Sequence, residues 1–221
     1  AQVERAAELL AAAEMPIIHA GSGVIHAGAY DELRRVAELL HAPVTTSWAG
    51  RGVLPETSEL AIPMPFIPLN NEVRNDADLV LVVGSRLGET DWWGKAPYWR
   101  HPSEQQMIQV DIDGHTLGAN KPAAINVLAD AKLFLAALAE RLAPLTGRMN
   151  LESRRRKVAK YRNKARGERA KLDEKLTDLA VPMNSAHVAH ACEQVFPAES
   201  VLVADGGNAA VWAMMFTQSR V

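Results

Sequence analysis

Apolar residues recur at helical spacing from Val3 to Leu10, then close up into the short run Met15 to Ala20, which ends in Gly21, Ser22 and Gly23. That pattern predicts a helix, a buried strand and a tight glycine turn. Tyr30 to Leu40 returns to helical period, with Leu33, Val36, Ala37, Leu39 and Leu40 on one side, and Pro43 to Thr46 reads as a second strand. Pro55 to Pro68 holds four prolines and no clean period, which predicts an irregular excursion over the sheet edge before a short helix at Asn70 to Ala77. Asp78 to Gly84 is apolar on both faces, as a central parallel strand is. Gln106 to Val110 and Ala124 to Leu128 predict two more strands, and Asp130 to Leu142 an amphipathic helix.

Strands alternating with helices define an α/β layer architecture with a parallel, Rossmann-like sheet, whose ligand crevice lies beyond the strand C-termini. After Pro144 the pattern changes. Leu151, Val158, Leu172, Leu176 and Leu179 are sparse apolar anchors on one long helix, and Pro182 then breaks the chain. A helix at Ser185 to Val195, a strand at Val201 to Ala204 and a helix at Asn208 to Phe216 begin a second α/β unit. The expected division is therefore a central unit over 1–145, a basic helical linker over 146–183 and the opening of a further domain over 184–221.

Charge sharpens the linker. The stretch from Arg148 to Lys171 holds eleven Lys and Arg against two Glu, leaving the remainder with 13 basic and 24 acidic residues, a net −11. Without interleaved aromatics or a recognised motif, this run predicts no nucleic-acid site; it reads as a solvated helix that links domains and touches an acidic partner surface. The apolar stretch around Leu79 to Val83 is too short to cross a bilayer, and the first residues show no basic-then-apolar leader. The expectation is a cytoplasmic protein with no membrane partner. A lone Cys192 excludes an internal disulfide and a cysteine-built metal site. The missing initiator Met and the abrupt end in an apolar helix read as cuts from a longer protein.

Gly21, Ser22 and Gly23 follow a strand, where glycine lets a backbone approach a phosphate; the alternative is a plain tight turn. The next glycine is Gly28, off the dinucleotide spacing, and Thr45, Thr46 and Ser47 stand where a ribose-binding acid would close the second strand. A conventional NAD-dependent oxidoreductase is thereby disfavoured. Gly84, Ser85 and Arg86 end another strand, so Arg86 could clamp a phosphate or pair with Glu89 or Asp91. Asp111, Ile112 and Asp113 could meet a ribose or adenine or cap a helix, and Asp130 is first of all an N-cap. His187 and His190 suit a half-exposed helix face better than a metal. Trp92, Trp93 and Trp99 read as a satellite core, or else as a subunit contact or ligand cover.

Three ordered phrases, Pro16 to Val24, Ala42 to Glu56 and Ala77 to Arg86, together with Gln109 to Asp113, Val127 to Ala131 and Val201 to Trp212, resemble thiamine-diphosphate-dependent enzymes of the acetolactate-synthase-like family. The resemblance spans nearly the whole chain. It implies a central domain of the deoxyhypusine-synthase-like NAD/FAD-binding kind, holding FAD, ADP, a coenzyme A moiety or nothing. It places Gly21, Ser22, Gly23, Thr46, Ser47, Gly84, Ser85, Arg86, Asp111, Ile112, Asp130 and Ala131 around that nucleotide, and Gly207, Asn208 and Ala209 against the phosphates of thiamine diphosphate.

The activity it implies is decarboxylation of a 2-keto acid, or carboligation of its acyl group to an acceptor, by a magnesium-dependent homodimer or homotetramer. The activating glutamate and the magnesium motif would lie outside these residues, so the chain alone is expected to be inactive. Where flavin-binding relatives carry an acid-acid-arginine run, this chain has Leu87 to Trp93, which speaks against FAD. A non-catalytic nucleotide-binding or assembly module is the alternative.

Overall fold

The computed structural model describes residues 1–197 and 199–219. Its centre is a five-stranded, all-parallel sheet in the order β2-β1-β3-β4-β5. The strands are β1 (Pro16–Ala20), β2 (Val44–Thr46), β3 (Leu79–Val83), β4 (Gln106–Asp111) and β5 (Ile125–Leu128). Every residue of β1 and β3 is buried, which the unbroken apolar runs demand of strands covered on both faces. From β1 the chain passes outward to β2, then returns to β3 on the other side of β1 and proceeds outward again. The switch point, where ligands of open α/β sheets bind, therefore lies between β1 and β3.

Helices α1 (Gln2–Ala12), α3 (Tyr30–Leu40) and α5 (Ala131–Leu142) pack on one another and close one core with the sheet, while α2 (Ser22–His26) is a short helix directly after β1. α4 (Ile67–Asp76) precedes β3; Pro68 in its first turn starts it three residues earlier than the sequence pattern suggests. The stretch between β2 and α4 is irregular apart from a 3-10 turn at Trp48–Gly50 and one bridge, Val44 to Ala61.

α6 (Leu151–Glu174) is the long basic helix, and its attachment is chiefly polar. Arg154, 0% exposed, donates from Nη1 to Leu40 O (2.8 Å) and from Nη2 to Leu10 O (3.1 Å), Ala11 O (3.3 Å) and Ala13 O (2.6 Å). One guanidinium thus serves the C-terminal carbonyls of α1 and α3, which have no partners within their own helices and carry the negative end of the dipole. Buried Tyr161 donates to Asp76 Oδ2 (2.9 Å), Lys160 and Lys164 pair with Glu72, and Arg162 pairs with Glu59. The acidic surface that the basic helix meets is on this same chain.

Beyond α6, α7 (Ser185–Val195) and α8 (Gly207–Phe216) form a small cluster of Ala186, Ala189 and Phe216 with Leu172 and Leu176. Two expectations change here. Leu179 is 85% exposed and anchors nothing, because α6 ends at Glu174. Val201 to Ala204 is not a strand: Val201 and Val203 are 88% and 89% exposed. A strand needs a paired neighbour for its backbone, and two helices provide none.

Arg154→Met should cost about 3 kcal/mol or more in denaturant unfolding, since it leaves several carbonyls at two helix ends without donors. A cost under about 1 kcal/mol would show that water serves those carbonyls equally well.

Candidate functional site

The turns after β1 and β3 meet at the switch point with no room between them. A Cβ on Gly21 would lie 2.1 Å from Gly84 O, and one on Gly84, whose φ is +60°, would lie 2.6 Å from Gly23 Cα. Gly50, after β2, is as tight: its Cβ would stand 2.4 Å from Ala20 O. These glycines are required by backbone contact with backbone. Their amides are spoken for as well: Gly21 N–H donates to Val83 O (2.9 Å) and Gly23 N–H to Gly84 O (3.1 Å). The glycine pair therefore welds two strand ends together, and those two amides are not free for a phosphate.

Around this weld the expected site residues separate into inward and outward groups. Ser85 is buried; its hydroxyl donates to Asp91 Oδ2 (3.3 Å) and accepts from Leu87 N–H (3.1 Å). Arg86 is exposed, and among the described residues its guanidinium pairs with neither Glu89, itself exposed, nor Asp91, which is engaged elsewhere. Thr46 and Ser47 are 8% and 9% exposed, and the Thr46 hydroxyl is buried with no hydrogen-bond partner among the described residues. Asp111 Oδ1 accepts from Asp113 N–H (3.0 Å) and Asp113 Oδ1 from His115 N–H (2.9 Å), so β4 ends in turns and these acids cap no helix. Ile112 is 77% exposed beside them. Asp130 caps α5, accepting from Leu133 N–H (3.0 Å), and Ala131 is buried behind it.

Gly207, Asn208 and Ala209 open α8 apart from this crevice, and no hydrogen bond among the described residues joins the two. Gly207 has φ +74°, and a Cβ there would meet nothing within 4 Å. The turn is open, and the first-turn amides of α8 face no capping side chain.

Behind the crevice lies a buried polar cluster that the sequence does not reveal. His19 on β1 is fully buried, with Nδ1 3.1 Å from Thr45 Oγ1 and Nε2 3.4 Å from Asp91 Oδ1. A neutral imidazole protonated on Nε2 turns its N–H side to the carboxylate without completing a hydrogen bond, while Nδ1 competes for the Thr45 hydroxyl with Ile18 O, 3.4 Å away. Arg74, from α4, stands 3.9 Å from the same carboxylate oxygen and lies over Trp99, 4.8 Å from the ring centroid. Trp99 Nε1 donates to Asp91 O (2.8 Å). These three tryptophans are thus no satellite: Trp99 belongs to the main core, Trp92 stacks on Tyr98, and of the three Trp93 is exposed.

Burial lowers the His19 pKa and outweighs Asp91, which raises it. For Asp91, burial raises the pKa, but His19, Arg74 and Ser85 together outweigh it and hold the carboxyl below its ordinary value. Burial also pushes Arg74 down to about 10. A lone His inside an apolar strand was the only available sequence signal, since Asp91 and Arg74 are 72 and 55 residues away along the chain.

His187 and His190 are half-buried on α7, and His190 lies edge-on to Phe216. Among the described residues no group of three His, Cys, Asp or Glu could hold a metal, and no helix is long and apolar enough to cross a membrane. A cavity of about 450 Å³ lies away from the crevice, between α6, the loop after β2 and the segment following α8.

The family model described as the thiamine pyrophosphate enzyme central domain matches residues 3–138. The chain belongs to that family. It is 29% identical to the sulfoacetaldehyde acetyltransferase of Roseovarius nubinhibens, with 93% of this chain and 37% of that protein aligned. It is 37% identical to a "Probable 2-ketoarginine decarboxylase" of Pseudomonas aeruginosa, over 76% of this chain and 29% of that one. With a "Probable acetolactate synthase large subunit" of Methanocaldococcus jannaschii it shares 36% identity, over 61% of this chain and 23% of the other. The chain thus spans between about a quarter and two fifths of these relatives' lengths. A solved structure from Mycobacterium smegmatis, assigned as a thiamin diphosphate-dependent enzyme, superposes with a TM-score of 0.70 at 21% identity, covering 99% of this chain and 39% of that one. That likeness shows the fold.

The cluster makes a definite statement about acid. Below about pH 6.5 an unfolded His19 takes up a proton that the folded imidazole refuses, so stability falls with acidification by up to about 1.4 kcal/mol per pH unit for one proton. The contribution of ionised Asp91 persists above the ordinary carboxylate range and is lost as pH falls through its depressed value. Unfolding free energies between pH 5 and pH 7 should therefore show a slope that His19→Asn reduces; an unchanged slope would remove His19 from the account.

Proposed function

We propose that the chain is the nucleotide-binding centre and the start of the diphosphate-binding region of a thiamine-diphosphate- and magnesium-dependent enzyme acting on a 2-keto acid or related acyl donor. The observation that carries the proposal is the family match over 3–138, whose β1 and β3 turns meet at the switch point. The relatives named as an acetyltransferase, a decarboxylase and a synthase support the reaction class, which covers decarboxylation and carboligation. Thiamine diphosphate, when bound, supplies the carbanion chemistry.

In this reading residues 1–145 form the central domain, 146–183 the linker and 184–221 the opening of the diphosphate-binding domain. The open turn at Gly207, with Asn208 and Ala209 in the first turn of α8, presents backbone N–H groups and the positive helix end to a diphosphate. In this reading the magnesium motif and the activating glutamate belong to other parts of the protein, and the chain alone turns over no substrate. The assembled enzyme is a cytoplasmic homodimer or homotetramer.

At the crevice, Arg86 is the exposed cation for a nucleotide phosphate, with Thr46, Ser47, Asp111 and Ile112 at its rim and Gly21, Ser22, Gly23, Gly84 and Ser85 forming its floor. Asp91 is held by His19 and Arg74, which leaves Glu89 as the one exposed acid in the segment where flavin-binding relatives carry an acid-acid-arginine run; this favours ADP or a coenzyme A moiety over FAD. A second reading, a non-catalytic nucleotide-binding or assembly module, draws on the Gly21 and Gly23 amides already being bonded within the protein.

Native purification of the protein containing this chain, with mass analysis of released small molecules, should yield thiamine diphosphate, and turnover should require it together with magnesium. Gly207→Val, forced into a left-handed backbone, should weaken thiamine diphosphate binding about tenfold, or roughly 1.4 kcal/mol. Failure to bind at millimolar excess would favour the assembly reading, and full turnover by the 221-residue chain alone would overturn the first.

A further inference from the structure

Arg51 and Glu56 lie in the loop after β2, outside every group assigned so far. Arg51 Nε donates to Glu56 Oε1 (2.9 Å) and Nη2 to Oε2 (2.7 Å), a two-pronged pair with side chains only 15% and 9% exposed. Both residues also hold the segment after α8. Arg51 Nη2 donates to Thr217 O (2.6 Å), Ser219 N–H donates to Glu56 Oε2 (3.0 Å), and Glu56 N–H donates to Ser219 O (2.9 Å). Gly52, at φ +94°, brings the loop so close that a Cβ there would lie 2.9 Å from Ser219 Oγ. Among the described residues these side chains hydrogen-bond only to each other and to 217–219, so they add nothing to the sheet.

The loop carrying the pair leaves β2 through Thr46 and Ser47, at the rim of the crevice. The clamped segment directly follows α8, whose other end, about 15 Å away by helical rise, is the Gly207 turn. At that clamped end, Thr217 N–H and hydroxyl both return to Ala213 O, so strand-like and helical backbone are tied in one knot. Among the described residues the other support of α8 is the small apolar cluster with α7 and the end of α6, with Arg169 lying over the Phe216 ring.

We propose that Arg51 and Glu56 are positioning residues: the pair locks the C-terminal end of α8 to the loop after β2 and so fixes the Gly207 to Ala209 turn relative to the crevice. The cofactor-related part of this rests on the reading of that turn as a diphosphate contact; the clamp itself does not.

Hydrogen–deuterium exchange on the 221-residue chain tests it, with thiamine diphosphate titrated in parallel, in the presence of magnesium, into the protein containing this chain and followed by tryptophan fluorescence, since Trp212 lies on α8. In Arg51→Met, peptides covering 207–219 should exchange at least tenfold faster while those of β1, β3 and β4 keep their rates. Arg51→Lys, which retains a donor for Thr217 O, should recover part of the protection, and Glu56→Gln carries the test if Arg51→Met does not fold. Thiamine diphosphate affinity should fall at least fivefold in Arg51→Met and recover in Arg51→Lys.

Unchanged exchange at 207–219, or equal acceleration in the sheet, overturns the proposal. Equal affinity in wild type and Arg51→Met, with α8 loosened, overturns the positioning role while leaving the cofactor reading standing. The stated exchange response without thiamine diphosphate binding in any variant upholds the clamp and removes the cofactor reading.

Discussion

Backbone meets backbone at the end of β1 and β3, at a separation that no side chain could share, and the rest of the molecule is arranged around that contact. Gly21 and Gly23 donate to the carbonyls of Val83 and Gly84, and a Cβ on any of the three glycines would collide with the opposite turn. The contact sits at the point where the strand order reverses, so it sets how far apart the crevice walls begin. Arg86 points outward because Ser85 points inward, toward Asp91. The same approach thus determines which side chains are left for a ligand and which are absorbed into the core.

A second layer of order is electrostatic and reaches further along the chain. His19, Asp91 and Arg74 join β1, the loop after β3 and α4 behind the crevice, with Trp99 closing over them. Arg154 joins α6 to the ends of α1 and α3, and Arg51 with Glu56 joins the loop after β2 to the end of α8. In the last two links a guanidinium donates several times to carbonyls or a carboxylate that would otherwise be buried without partners, whereas Arg74 faces Asp91 at 3.9 Å and its Nε and Nη1 have no hydrogen-bond partner among the described residues.

The α/β class, the five strands and most helices were legible because β1, β3 and α3 carry unmixed periods, and the Asp130 cap lies where its residue type belongs. The expected strand at Val201 to Ala204 failed because β-propensity is satisfied only beside a neighbour. The polar cluster was hidden for another reason: its members are far apart in sequence, and each alone looks unremarkable. Gly21 and Gly23 were visible as glycines, but whether their amides face a phosphate or another strand is a property of the loop after β3. Arg51 and Glu56 were seen only as part of a family phrase, since their partners at 217–219 stand more than 160 residues away.

The weld at the switch point is open to one direct measurement. Gly21 has φ −99°, which alanine adopts freely, so Gly21→Ala would stabilise the chain slightly by restricting the unfolded state if space allowed. Its unfolding free energy, compared with that of Gly147→Ala, where a Cβ meets nothing within 4 Å, isolates the collision with Gly84. The account predicts that Gly21→Ala loses about 2 kcal/mol or more while Gly147→Ala changes little. Equal stabilities for the two variants would contradict it.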